Sequence, residues 1–255
     1  MESKIFTKQM ALDELTRQNG HGKIYIPDGI TQIEAGCFSH SNIEEVFLPK
    51  GITEIGENAF RHCSYLRKVI FPCTLTKIGH SAFKKCFDLE QVDLSVCSKL
   101  TQISAYSFYG CFKVKKVILP NSISEIQENA FEKCSKIKGI HLPDGIKTID
   151  KNAFNECTSI SYINLPHTLE KIGENAFMLC TSLKEIRIPG SVRQVESSTF
   201  LCCTNLKSVY FEEGICLIKN YAFCHCDNLE NLVIPQSLKE IQEKAFEFCN
   251  KLELK

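Results

Sequence analysis

Residues 174–189 read ENAFMLCTSLKEIRIP, and two periodicities are legible in them. Ala176, Phe177, Cys180 and Leu183 fall at i, i+1, i+4 and i+7, one face of a helical turn, whereas Ile186 and Ile188 alternate as in a strand. Pro189 then closes the extended piece where no further ladder donor is needed. The same order returns along the chain. Phe38, Phe60, Phe83, Phe108, Phe131, Phe154, Phe177, Phe200, Phe223 and Phe246 are separated by 22, 23 and 25 residues and then by 23 six times. Nine of these ten units carry Cys three residues after the Phe, seven carry Ala just before it, and all eight prolines share one phase. This is the signature of a repeat protein.

Each unit therefore predicts one coil of a solenoid, with a strand of three or four residues on one side and a short helical turn on the other. A 23-residue unit cannot bury its own apolar side, but ten stacked units can. Residues 23–255 form the tandem array on this reading. Residues 1–22 form a helical cap, ending at Asn19-Gly20, with Met10, Leu12 and Leu15 covering the first coil. The third unit is two residues long and has Ser95 where the repeat has Pro, so the extra residues between Leu94 and Leu100 should bulge outward. The last unit stops after KLELK, leaving an edge that either continues in a longer array or is guarded only by charge.

The repeat resembles that of the BspA-like leucine-rich repeats, Leu-x-x-Leu-x-Leu-Pro-x-x-Leu-x-x-Ile-Gly-x-x-Ala-Phe-x-x-Cys. The stretch SLKEIRIPGSVRQVESSTFLCC from Ser182 to Cys203 follows it with a few substitutions. The resemblance implies a leucine-rich-repeat solenoid with a parallel sheet on its concave face and helical turns on the convex one. It also implies adhesion or protein recognition, and it supplies no catalytic residues.

Composition narrows the function classes. Thirty Lys plus Arg balance thirty Asp plus Glu, and no run of like charge exceeds three residues, so no long-range attraction to nucleic acid or anionic lipid is expected. No apolar stretch is long enough to insert in a membrane as a helix. The N-terminus MESKIFTKQMALDELTRQNG has no secretory pattern.

Fifteen cysteines raise the question of metal or disulfide chemistry. The nine in phase with Phe share one inward column and read as reduced, small hydrophobes, which suits a cytoplasmic compartment. A signal removed earlier would place the chain at the cell surface or outside the cell instead. Cys202, Cys203, Cys224, His225 and Cys226 form the one cluster resembling a ligand set, but it contains no CxxC pair, and Cys203 and Cys226 belong to the inward column. No metal or other cofactor is expected. A convex disulfide between Cys202 and Cys224 stays open, since they differ by one position in adjacent coils. Catalysis lacks a constellation: His141 is the one histidine on the predicted concave face, its nearest acid in the column is Asp93 two strands away at about 10 Å, and no Ser or Cys there has a base. The chain reads as a non-enzyme.

Function then falls to the side chains that the repeat leaves free. Eight residues past each Phe in the regular units stand Lys68, Gln91, Lys116, Gly139, Tyr162, Glu185, Ser208 and Asn231; ten past stand Ile70, Asp93, Ile118, His141, Asn164, Arg187, Tyr210 and Val233. Two candidate patches result. One joins Tyr162, Arg187 and Tyr210 with His141, Asn164 and Glu185, residue types that often anchor interfaces. The other is the apolar run Tyr25, Phe47 and Ile70. The leading expectation is a protein partner on the concave sheet. The alternatives are a piece of a cell-surface adhesion array and a self-associating array that stacks through its C-terminal coil.

Overall fold

Parallel pairing with a register of one repeat builds the molecule, and the computed structural model describes residues 4–17 and 21–253. On the concave side, strands of three to six residues carry the alternating aliphatics. They run in four ladders: 21–25 with 42–47 and 68–70, 91–93 with 116–118, 139–141 with 162–164, and 185–188 with 208–211 and 231–233. In each strand the middle aliphatic turns inward; Ile163 is 4% and Ile186 1% exposed, while the residues flanking them point to solvent. Each Pro from Pro49 onward then opens a tight turn, its carbonyl accepting the N–H three residues on, as in Ile146 N to Pro143 O at 3.1 Å.

A second parallel ladder, not anticipated from the sequence, follows that turn. Two-residue strands such as Glu125–Ile126, Thr148–Ile149 and Lys171–Ile172 pair in register and bury the closing aliphatic of every unit up to Ile218. One large apolar cluster between the two ladders runs from the cap to the last coil.

The convex side departs from the expected helical turns. Among the described residues the one α-helix is Lys8–Arg17. Two residues before the Phe and two after it, the backbone is left-handed in nearly every coil, with φ between 54° and 71°, as at Asn152 and Glu156 or Asn175 and Leu179. These reversals send alternate N–H groups out of their own coil. Asn152, Phe154 and Glu156 donate to the carbonyls of Glu174, Ala176 and Met178 in the next coil at 2.9–3.0 Å, while Ala153, Asn155 and Cys157 donate within their own. A helix would keep every donor inside its turn, so this hydrogen bonding ties coil to coil instead. Asn tolerates the left-handed region better than most residues, and it stands two before Phe60, Phe131, Phe154 and Phe177.

Aromatic stacking runs the length of the core. Ring centroids of successive repeat Phe residues lie 5.1–5.5 Å apart, nearly parallel, and Phe6 adds one further ring 5.7 Å from Phe38. The cysteine column has a polar task as well as a packing one. Each thiol donates to the carbonyl of the Phe one coil back: Cys86 reaches Phe60 O at 3.1 Å, Cys157 reaches Phe131 O at 3.1 Å and Cys203 reaches Phe177 O at 3.2 Å. That carbonyl already accepts the Cys N–H of its own coil, as in Cys63 N to Phe60 O at 3.1 Å, so both of its lone pairs are used.

The N-terminal cap is built differently from the expectation. Ile5–Phe6 pairs with Gln32–Ile33 and starts the second ladder, and Thr7 caps the helix by accepting from Met10 N at 3.3 Å. Ala11 is fully buried and Leu15 is half-buried against the core, whereas Met10 and Leu12 face solvent; the end placed at Asn19-Gly20 lies outside the described residues. The insertion of the third unit also differs in part. Ser95 and Val96 do project, but Cys97 turns in to complete burial and donates to Pro72 O at 3.4 Å.

Candidate binding face

Strand register decides which of the concave residues meet. Arg187 lies directly across from Tyr210, and its guanidinium carbon sits 5.3 Å from the Tyr210 ring centroid. Arg187 Nη1 is 3.8 Å from Glu212 Oε1, and Glu212 Oε2 is 3.2 Å from Nδ1 of the exposed His167. The cationic side chain is thereby held between a ring and a carboxylate while remaining 65% exposed. Glu185 stands across from Ser208 in the same ladder and faces solvent.

Tyr162 belongs to the neighbouring ladder and leans the other way. A Cβ placed on Gly139, its register partner, would meet Tyr162 O at 3.3 Å and the ring's Cδ1 at 4.0 Å, so the ring lies over the space that Gly139 leaves. His141 pairs with Asn164, both exposed, beside it. The expected patch is thus two adjacent groups, Tyr162 with His141 and Asn164, and Arg187 with Tyr210. Tyr162 is 60% exposed, and a Tyr side chain offers a large contact area with few rotatable bonds.

The N-terminal run is contiguous. Tyr25 stacks on Phe47 at 4.6 Å with an 8° interplanar angle, and Phe47 is across from Ile70, which is 45% exposed. Beyond Ile70 the ladder breaks, and the projecting turn of the third unit closes a groove of about 490 Å³ whose walls include Ile70, Val96, Arg67 and Asp93. Asp93 fixes that turn by accepting from Ser95 N at 3.1 Å and Ser95 Oγ at 2.7 Å.

Glu212, His167 and Val96 were missed by the sequence reading, and a signal for Glu212 did exist. It stands at the repeat's Pro position, as Ser95 does, so both exceptions to the Pro column lie beside candidate surfaces. Without Pro, Glu212 keeps its N–H and donates it to Ile188 O at 3.1 Å, and the following turn presses on the preceding coil: a Cβ at Gly190 would come within 1.7 Å of Glu213 O. Glu213 in turn accepts from the N–H groups of Gln236 and Ser237 at 2.8 and 3.1 Å, which anchors the loop that carries Glu212.

All fifteen cysteines are free thiols, Cys202 and Cys224 included; these two meet through the backbone, Cys202 N donating to Cys224 O at 2.9 Å. Burial pushes the Cys111 and Cys180 thiols up to about 12 and raises those of Cys86, Cys134, Cys157 and Cys203 well above their ordinary value. Such thiols neither ionise nor attack at neutral pH. Among the described residues no group of three or more His, Cys, Asp and Glu side chains is placed to hold a metal, and no helix is long and apolar enough to cross a membrane.

A parallel-sheet solenoid of about ten turns, with an interior that repeats from coil to coil and a free outer sheet face, belongs to the leucine-rich repeat class. Within that class this chain belongs to the BspA-type leucine rich repeat family, whose model matches residues 17–138 and 125–253. Among solved structures, a leucine-rich repeat protein from Bacteroides ovatus is 28% identical over 91% of this chain, with a TM-score of 0.76. This chain spans 65% of that protein's length. A leucine-rich repeat protein of T. pallidum is 30% identical over 63% of this chain and 77% of its own, with a TM-score of 0.59. The pneumococcal vaccine antigen PcpA, 22% identical over 86% of this chain and 62% of its own with a TM-score of 0.66, shares the fold. No curated protein matches the chain.

Proposed function

We propose that this chain is a non-catalytic recognition module that holds a protein partner along its concave sheet, with Arg187 and Tyr210 as the anchor and Tyr162 beside them. The observation that supports this reading most is the Arg187 arrangement: an exposed guanidinium placed over Tyr210 and beside Glu212 before any partner arrives, so little side-chain entropy is lost on binding. The apolar run from Tyr25 to Ile70 offers a second contact on the same face. Ten strands at about 4.8 Å give a ribbon on the order of 45 Å long, enough for about 800 Å² per partner. Catalysis finds little support on this face, since His141 faces Asn164 rather than an acid. The free, buried thiols suit a reducing compartment.

The test is affinity capture with the intact chain compared with the Tyr162→Ala, Arg187→Ala double variant. Both side chains are exposed, so the fold should survive and specific partners should be lost. A partner retained at equal yield would sink this assignment.

A further inference from the structure

Charge is distributed unevenly over this neutral chain. The flank where each coil turns from the convex side into the concave strand is formed by residues four, five and seven past the Phe. Over the five coils that begin at Phe108, Phe131, Phe154, Phe177 and Phe200, these positions hold Lys113, Lys115, Lys136, Lys138, Lys184 and Lys207 and no carboxylate. All six are exposed. Lys113 pairs with Asp88 at 2.8 Å, and among the described residues the other five make no ion pair. The opposite flank behaves differently: Lys77 with Glu54, Lys171 with Asp150 and Lys219 with Glu196 each pair at 2.7 Å. Acids bound the lysine stripe at both ends, Asp88 and Glu90 before it and Asp227 and Glu230 after it.

We infer that this lysine flank is a binding site for an acidic polysaccharide, a linear chain carrying sulfate or carboxylate groups, separate from the concave protein-binding face. Parallel register places the column Lys115, Lys138, Lys184 and Lys207 along the solenoid axis, with about 4.8 Å per coil and about 19 Å end to end. That exceeds the screening length of about 8 Å at physiological salt, so the bounding acids do not cancel the stripe's centre. A small anion engages two coils at most; a polymer with anions spaced along a line engages all of them. A shallow groove of about 590 Å³ between Lys138 and Lys207 is lined by Ser159, Ser161, Ser182 and Asn205. Asn205 is tied to Thr181 O at 2.7 Å and Ser161 Oγ to Lys138 O at 3.3 Å, while the Ser159 and Ser182 hydroxyls are free for sugar hydroxyls or sulfate. Nucleic acid fits less well. The cations are all Lys, without the Arg fork that grips phosphate in two places. In the coils from Phe131 to Phe200 these positions also offer no aromatic ring on which bases could stack.

The experiment is a titration of a labelled, size-defined sulfated heparin oligosaccharide with the intact chain at about 50 and 200 mM salt. A neutral dextran and a single-stranded oligonucleotide of equal charge run in parallel. Saturable heparin binding is expected, weaker by about tenfold or more at the higher salt. Lys138→Glu, Lys184→Glu, Lys207→Glu together should weaken it by at least about tenfold with circular dichroism and melting unchanged. Lys147→Glu with Lys151→Glu on the opposite flank, and Arg187→Ala on the concave face, should leave it intact. Absence of saturable binding at low salt, equal loss in the opposite-flank variant, or an oligonucleotide that binds as tightly as heparin would each overturn the proposal. Retention of heparin binding by Arg187→Ala keeps this outcome independent of the concave-face reading.

Discussion

Raising the pH from 9 to 10 should cost this protein stability through thiols that never meet solvent. Cys111 and Cys180 are fully buried, and burial pushes them from 9.0 to about 12. Unfolded, each loses its proton above pH 9; folded, each keeps it until about pH 12. The folded state therefore binds more protons across that window, so stability is complete below pH 9 and falls as pH rises toward 12. The slope approaches about 1.4 kcal/mol per pH unit for each thiol once the unfolded thiol is fully ionised; from pH 9 to 10 the loss is about 1 kcal/mol each, or about 2 kcal/mol for the pair, against a typical total of about 5–15 kcal/mol. Cys86, Cys134, Cys157 and Cys203 shift the same way and steepen the fall. Urea unfolding followed by circular dichroism in reductant, at half-unit steps from pH 8 to 10.5, measures the slope. Surface lysines titrate in the same range, so the decisive comparison is with Cys111→Ala, Cys180→Ala. That variant starts less stable, but its stability should decline less steeply, by about 2 kcal/mol between pH 9 and 10. Equal slopes in the two proteins would refute the account of the cysteine column.

Iodoacetamide at neutral pH should label Cys73 fast, Cys202 and Cys216 more slowly, and the other twelve only after unfolding, as mass spectrometry can count. Phe154→Ala removes a fully buried ring stacked 5.5 Å from both neighbours and should cost about 3–5 kcal/mol in chemical denaturation. Asn175→Val puts a β-branched residue at φ 55° and should cost about 1–3 kcal/mol, whereas Asn175→Gly should be far milder. Gly190→Ala drives a methyl group into Glu213 O, so it should both lower the melting temperature and weaken partner capture by displacing the Glu212 turn; a melting curve unchanged from that of the parent chain would contradict the close approach.

Much of the architecture could be read from spacing alone, because the interior of a solenoid has to be the same in every coil. Phe177, Cys180, Leu183, Ile186 and Ile188 all lie where their period placed them, with 1% exposure or less. The convex turn could not be read the same way. A run such as Ala176, Phe177, Cys180 and Leu183 satisfies helical spacing, but left-handed Asn175 and Leu179 divert donors to the next coil, and a helix and a ladder bury the same side chains. The cap differs in part: Ala11 and Leu15, four residues apart, share the inward face of the helix, whereas Met10 and Leu12 fall beside that face and meet solvent.

By itself, then, the sequence determined the repeat, the inward columns, the absence of a long apolar helix and the faces left free to vary, since each follows from periodicity within one unit. Tertiary structure alone decided what lies side by side between units. It laid Tyr162 against Gly139, seated Arg187 over Tyr210 and beside Glu212, and used each Cys thiol to satisfy the Phe carbonyl one coil back. It also aligned lysines 23 residues apart into one stripe on a chain whose formal net charge is zero. Residues one repeat apart are distant along the chain and about 4.8 Å apart in space, so their chemistry emerges only when the coils stack.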